Sequence, residues 1–240
     1  YICLFACHIY SVVYYIFMST FYVIGTPIGN LEDISLRAIR ILKEVDVVLC
    51  EDTRVTKRLF EKYDITTHMV SYHAQSGETK VELILEKIEE GKNIALVSDA
   101  GTPGISDPGS MLISTIREKY PELKIVSIPG PSALTSALSI AGVPTNEFIF
   151  LGFMPHKKGR ETLFKEIAES ERTMVFYEST HRIIKTLESL SKIDKKITLV
   201  REITKIYEEV LQGSAVDILK ILNETPEKQK GEFVVIVSNR

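Results

Sequence analysis

The sequence predicts an α/β protein made of two αβα domains, and three observations predict it. Short runs rich in Val and Ile alternate with segments whose apolar residues recur at helical spacing. Residues 94–98 are almost continuously apolar up to Ser98, as in a strand covered on both faces of a parallel sheet. Near residues 143–146 the pattern resets, and beyond it some strands follow one another with no helix between, which predicts a mixed second sheet. A chain of 240 residues, 45% hydrophobic and 25% charged, can bury two modest cores without disulfides, and its composition excludes disordered and fibrous classes.

The elements follow in order. Residues 21–25 form the first strand, after which Ile34, Ala38, Ile41, Leu42 and Val45 mark a helix. A strand at 46–50 leads to a helix near 53–63. A strand at Met69 and Val70 precedes a helix in which Val81, Ile84, Leu85 and Ile88 fall at i, i+3, i+4 and i+7, an apolar stripe for packing on a sheet. Strands at 94–98 and 124–128 come next, with a helix from about 132 to 141. In the second half, strands are expected at 148–152, 173–177, 197–201, 209–212 and 233–237. Helices fall near 161–168, at Ile183, Ile184, Leu187 and Leu190, and at Ala215, Ile218, Leu219 and Leu222. The expected domains are 18–145 and 146–240, with no internal repeat.

Residues 1–17 are apolar apart from His8 and Ser11, close in length to a membrane span. They lack a basic flank and a small-residue cleavage pattern, and Met18 stands just before the first strand. This apolar leader is expected to lie outside the fold; a membrane anchor and a segment packed on the body are the alternatives.

The formal net charge of −3 excludes a generally basic nucleic-acid binder but not a local basic patch. Two of the three cysteines, Cys3 and Cys7, sit in the leader, leaving Cys50 alone; this is no disulfide framework and fits a reducing cytoplasm. The five histidines do not combine with cysteines or carboxylates at metal-ligand spacing, so no metal is expected.

The densest chemical signal is SDAGTPGISDPG, residues 98–109, directly after an apolar strand. Gly101, Gly104 and Gly109, with Pro103 and Pro108, make a stiff loop whose backbone can approach a ligand closely. In open α/β sheets ligands bind outside the carboxyl ends of strands, where Asp99 would be the first polar group available to an amine or ribose hydroxyl. A tight structural turn with Asp99 and Asp107 as cap residues is the plainer alternative. Residues 25–30 (GTPIGN) and 129–133 (PGPSA) close two other strands in the same way, so three Gly/Pro loops would line one crevice. Neither GxGxxG after a strand nor GxxxxGK[ST] occurs, which argues against a dinucleotide fold and a P-loop.

In order along the chain, TPIGNLEDISLRA, CEDTRVTKRL, SDAGTPGISDPG, PGPSA, FLGFMPHKKGR, FYESTHRI and REITKIYEEVLQGS resemble the tetrapyrrole-methylase-like methyltransferases. More narrowly, they resemble the ribosomal RNA small-subunit methyltransferase I family, over essentially the whole chain from Met18 to Arg240. The resemblance implies two αβα domains with S-adenosylmethionine in the cleft between them, a homodimer, and 2′-O-methylation of a cytidine in the decoding region of small-subunit rRNA. It implies cofactor contacts from Thr26, Pro27, Asp99, Ala100, Gly101, Pro103, Gly104, Ile105, Ser106, Pro129, Gly130, Ser132, Ala133 and Tyr177. The chain departs from the family where SYHAQSGE carries Ala74 and Gln75, and it ends at Arg240 where many members continue.

Methylating a ribose hydroxyl calls for alignment of donor and nucleophile and for a base. The candidate catalytic residues at strand ends are Glu51, Asp52, Glu178 and His181. Glu51 and Asp52 could equally cap the helix that follows, and His181 could be structural. Local charge must supply RNA binding. Arg54, Lys57 and Arg58 share one helix face; His156, Lys157, Lys158 and Arg160 crowd one loop; Arg182 and Lys205 follow other strand ends. Solvated surface is the alternative for each cluster. A methylase of tetrapyrrole intermediates would share the cofactor loops, but the basic segments argue against it. A non-catalytic ribosome- or membrane-associated module keeping the fold would not bind cofactor.

Overall fold

The computed structural model describes residues 19–73, 76–107 and 109–239. The leader at 1–17, the departure at Ala74 and Gln75, and Pro108 of the Gly/Pro loop lie outside the described residues.

The chain divides into two compact units, the first ending at Pro131 and the second beginning at Ser132. The first unit runs β1 (Thr20–Ile24), a 3-10 turn (Leu31–Asp33), α1 (Leu36–Glu44), β2 (Val47–Cys50), α2 (Thr53–Lys62), β3 (His68–Ser71), α3 (Glu78–Glu89), β4 (Ile94–Leu96), α4 (Gly109–Lys119) and β5 (Lys124–Ile128). Its strands form one parallel sheet in the order β3-β2-β4-β1-β5, with Phe21 opposite Ile94 and Ile24 opposite Ile128. Phe21, Leu49, Ile94 and Leu96 face one way, against Ile84, Leu85 and Ile88 of α3 and Leu112 and Ile116 of α4. Ile24, Val48, Ala95 and Ile128 face the other way, against Ala38, Ile41 and Leu42 of α1 and Leu59 and Phe60 of α2. Strands buried on both faces require continuous apolar runs, which is why the alternation expected of a solvated sheet is absent.

Local chemistry sets the helix starts. Ser35 accepts from the Ala38 N–H at 3.1 Å and Asp52 from the Arg54 N–H at 2.8 Å, satisfying donors that the first turn leaves unpaired. The connection from β1 passes over β4 to reach β2, whereas that from β4 passes over β1 to reach β5. The chain thus changes winding direction beside β1 and β4, and the loops leaving these strands flank the switch point where open α/β sheets bind ligands.

The second unit contains α5 (Ala133–Ala141), β6 (Phe148–Phe153), α6 (Arg160–Glu169), β7 (Thr173–Ser179), α7 (Ile183–Leu190), β8 (Lys196–Arg201), β9 (Glu209–Gly213), α8 (Ala215–Glu224), a 3-10 turn (Pro226–Gln229) and β10 (Glu232–Ser238). Its sheet order is β6-β7-β10-β8-β9; β6 and β7 are parallel and the other pairs antiparallel. One face packs on α6, α7 and α8 through Phe164, Ile167, Ile183, Leu187, Ile218 and Leu222. The other is covered by Ala137, Leu138 and Ala141 of α5, against Val175, Val200, Val234 and Ile236.

That last contact moves the boundary. The expected division at 145 and 146 places α5 in the first domain, but its apolar side belongs to the second sheet, so the division falls at Pro131. A second difference is α4, absent from the expected elements. It begins at Gly109 inside the Gly/Pro loop, and the fully buried Leu112 and Ile116 form too short a stripe to outweigh that loop's composition. Among the described residues, no helix is long and apolar enough to cross a membrane.

Candidate functional site

Three loops leave the carboxyl ends of β1, β4 and β5, and the backbone joins them. Thr26 and Gly101 form an antiparallel bridge, the Thr26 N–H donating to Gly101 O at 2.9 Å and the Gly101 N–H to Thr26 O at 3.1 Å. The Thr26 hydroxyl donates to Ser98 O at 3.0 Å and is buried. On the other side, Gly25 and Gly130 stack backbone on backbone: a Cβ on Gly130 would lie 2.5 Å from the Gly25 oxygen, which no real side chain tolerates. Gly101 and Gly104 have φ of +82° and +86°, and Ser106 follows at +65°. This run of left-handed residues turns the loop back on itself, with Gly109 packed beside Pro103 and the Gly104 N–H.

Thr26, Pro27, Asp99, Ala100, Gly101, Pro103, Gly104, Ile105, Ser106, Pro129 and Gly130 therefore fall on three loops at one end of the first sheet. Ala100, Ile105, Ser106, Pro129 and Gly130 are exposed there, whereas Thr26, Pro27, Gly101 and Pro103 are buried beneath them. The other three residues lie in the second unit. Ser132 is the N-cap of α5, Ala133 its first residue, and Tyr177 sits on β7 with its ring edge-on to Phe150 and Phe153 at 5.0 and 5.4 Å.

Carboxylates gather at the same end of the first sheet. Asp99 Oδ1 accepts the Asp52 N–H at 3.0 Å, tying the ends of β4 and β2. Asp52 caps α2 and is gripped by the Arg54 guanidinium, with Nη2 to Oδ2 at 2.6 Å; that hydrogen bonding holds its carboxyl down at about 2. Glu51 has the opposite environment. Partial burial, then the charges of Asp107 and Asp99, push it up to about 7. Asp107 rises to about 6 through burial and the Asp99 charge, against a lowering hydrogen bond from Ser98. Glu51 and Asp52, adjacent in the chain, thus sit in opposite environments: one carboxyl is raised by burial and like charges, and the other caps α2.

Glu178 and His181, the other two expected catalytic residues, belong to the second unit. The Glu178 side chain is fully buried, accepting from the Ser179 N–H at 2.9 Å and the Thr186 hydroxyl at 2.6 Å, and ion-paired with Arg182 Nε at 2.8 Å and Arg160 Nη1 at 3.7 Å. Arg160 and Arg182, expected in the RNA-binding set, are correspondingly committed: only 14% and 16% of their side chains is exposed. A buried carboxylate needs such partners, and its demand for charge overrides the surface role that basic residues usually have. His181 is exposed just ahead of α7.

The remaining basic residues divide by pairing. Arg54 is held by Asp52, and Lys205 bridges Glu202 and Glu232 at 3.0 and 2.9 Å. Lys57 is exposed 3.6 Å from Glu61, while Arg58, Lys157 and Lys158 are exposed. Sequence reasoning missed Arg201, whose buried guanidinium donates to the Lys230, Tyr207 and Glu227 carbonyls and closes the β8–β9 connection. It also missed Thr186, for which the sequence carries no local signal, because Glu178 lies at the end of β7 and Thr186 in α7. Among the described residues no group of His, Cys, Asp or Glu could hold a metal ion.

Comparison with known proteins supplies relatives. The family model described as Tetrapyrrole (Corrin/Porphyrin) Methylases matches residues 20–218. A protein of Halalkalibacterium halodurans named ribosomal RNA small subunit methyltransferase I is 44% identical over 222 residues, covering 91% of this chain and 75% of that protein. One of the same name from Thermotoga maritima is 40% identical over 225 residues, covering 93% of this chain and 100% of its own. Among solved structures, a diphthine synthase superposes with a TM-score of 0.71 at 15% identity, covering 92% of this chain and 90% of that one. A cobalt precorrin-4 methyltransferase gives 0.63 at 18%, covering 92% and 95%. At such identities these structures establish the fold alone.

Proposed function

Because the chain belongs to the ribosomal RNA small subunit methyltransferase I family, within the tetrapyrrole methylases, we propose that it is an S-adenosylmethionine-dependent methyltransferase of small-subunit rRNA. The acceptor in this reading is the 2′-hydroxyl of a cytidine in the decoding region, and the enzyme works as a cytoplasmic homodimer. The observation that carries the cofactor assignment is the Thr26–Gly101 bridge, which joins two Gly/Pro loops at the carboxyl ends of β1 and β4.

Those loops fit a nucleoside-like cofactor. Left-handed glycines at 101 and 104 keep side chains out of the way of a ligand that approaches the loop backbone. Asp99 uses Oδ1 for the Asp52 N–H, which leaves Oδ2 to accept from a hydroxyl or amine. S-adenosylmethionine, when bound, supplies an activated methyl group. The chain's own task is alignment and water exclusion, a contribution on the order of 7–11 kcal/mol for well-oriented reactants. Glu51, poised near pH 7, takes the proton of the attacking hydroxyl, an effect of roughly 10²–10⁴-fold for a placed base. Exposed Lys57, Arg58, Lys157 and Lys158 hold RNA phosphates.

The test is calorimetric titration with S-adenosylmethionine, followed by transfer of its labelled methyl to small ribosomal subunits from cells lacking the enzyme. Binding with transfer to subunits supports the reading. Binding with transfer to a tetrapyrrole precursor instead would move it to the other branch of the fold, and no binding would make the chain a non-catalytic module.

A further inference from the structure

The buried ion network of the second unit has a geometry that reaches beyond satisfying its own charges. Each arginine is ion-paired with Glu178 and also donates a guanidinium N–H to the chain leaving β6: Arg182 Nη1 donates to Met154 O at 2.6 Å, and Arg160 Nη1 donates to Pro155 O at 3.2 Å. Arg160 Nη2 also donates to the Thr186 hydroxyl at 2.7 Å, which in turn donates to Glu178, so the network closes on itself. Two consecutive carbonyls are thereby pinned, one residue, His156, separating them from the exposed Lys157 and Lys158. Gly159, at φ +84°, then turns the chain into α6, whose first residue is Arg160 itself.

We propose that Glu178 is a positioning residue: by holding Arg160 and Arg182 it clamps the turn that presents Lys157 and Lys158 to substrate RNA. This inference rests on the RNA-methyltransferase reading. Without the carboxylate, two guanidinium groups would face one another in a mostly dry pocket. They would separate and release the Met154 and Pro155 carbonyls. Lys157 and Lys158 would remain exposed but lose their fixed placement, so substrate affinity falls while the chemical step is spared.

Two measurements on the full chain test this, using Glu178→Gln and, because that variant could misfold, Arg182→Lys, which keeps the charge but gives up the planar fork that reaches Met154 O. The first is limited trypsin digestion, with cleavage after Lys157 and Lys158 followed by mass spectrometry. Faster cleavage at this turn in both variants, with other sites unchanged, is expected; parent-like rates would overturn the clamp whatever the substrate. The second is methyl transfer to small ribosomal subunits. Glu178→Gln should raise KM about ten-fold, as when two phosphates are no longer neutralised, with kcat within about two-fold of the parent. Adding Lys157→Gln and Lys158→Gln to it should raise KM no further than those two changes do alone. A fall in kcat at constant KM, or fully additive effects, would overturn the proposal. Parent protein that leaves subunits unmethylated would overturn the RNA reading instead, with the digestion still deciding the clamp.

Discussion

Thr26 and Gly101, 75 residues apart, exchange both backbone hydrogen bonds, at 2.9 and 3.1 Å, although neither belongs to a strand of the sheet. The bridge leaves Gly101 at φ +82°, a conformation that a branched residue adopts only with strain. Gly101→Val should therefore lose S-adenosylmethionine binding. Gly104→Ala, where a Cβ would meet nothing closer than 3.8 Å, should cost only about 1–2 kcal/mol of stability and weaken binding less. Calorimetry and thermal melts on both variants check this; unchanged affinity in Gly101→Val would remove the loop from the cofactor site.

Gly130 makes the complementary case. A Cβ there would overlap Gly25 backbone, which cannot yield as a flexible side chain would, so Gly130→Ala should destabilise the first unit rather than merely its ligand affinity. A melt indistinguishable from the parent's would show that the two loops do not pack as described.

Glu51 predicts a pH dependence. Its folded value of about 7 lies above the ordinary 4.5, so the folded chain holds the proton more tightly than the unfolded chain does. Stability present below the unfolded value is lost as pH rises through about 7. Glu51→Gln should accordingly be more stable than the parent at pH 8 and no different at pH 4. Methyl transfer should rise with pH through an apparent value near 7 that belongs to the neighbouring Glu51 and Asp107 carboxyls, and this limb should vanish in the variant. Denaturant melts at the two pH values and a pH–rate profile read both effects.

Much of this arrangement is readable from residue patterns, and the misses share a cause. Periodicity marks faces, so the strands and most helices stand out wherever an apolar stripe is long. It does not say which sheet a stripe meets, and α5 is expected in the wrong unit because Ala137, Leu138 and Ala141 suit either. Charge behaves likewise. Arg160 reads as part of the basic run with Lys157 and Lys158 until its carboxylate partner, 18 residues later in the chain, is brought alongside. The Gly/Pro loops are easier because close backbone approach and left-handed φ constrain residue type locally.

The proposed phosphate-binding role of the exposed lysines and Arg58 gives a further expectation. Reversing Lys57 and Arg58, or Lys157 and Lys158, should weaken binding to rRNA and flatten its salt dependence, by about 0.7–0.9 in the log–log slope for each phosphate no longer neutralised. Reversing Arg54, already held by Asp52, should change the slope little. Filter binding across a salt series distinguishes these outcomes; an unchanged slope in both double variants would leave the lysines as ordinary solvated surface.

Mass spectrometry of rRNA nucleosides tests the central claim most directly. Small subunits from cells lacking the enzyme are incubated with the purified chain and S-adenosylmethionine carrying a heavy methyl group, and the rRNA is digested and sequenced by fragment mass. One labelled methyl on the ribose of a cytidine in the decoding region, absent with Gly101→Val protein, is the predicted result. A label on a base, on another class of RNA or nowhere in the presence of tight cofactor binding would contradict it.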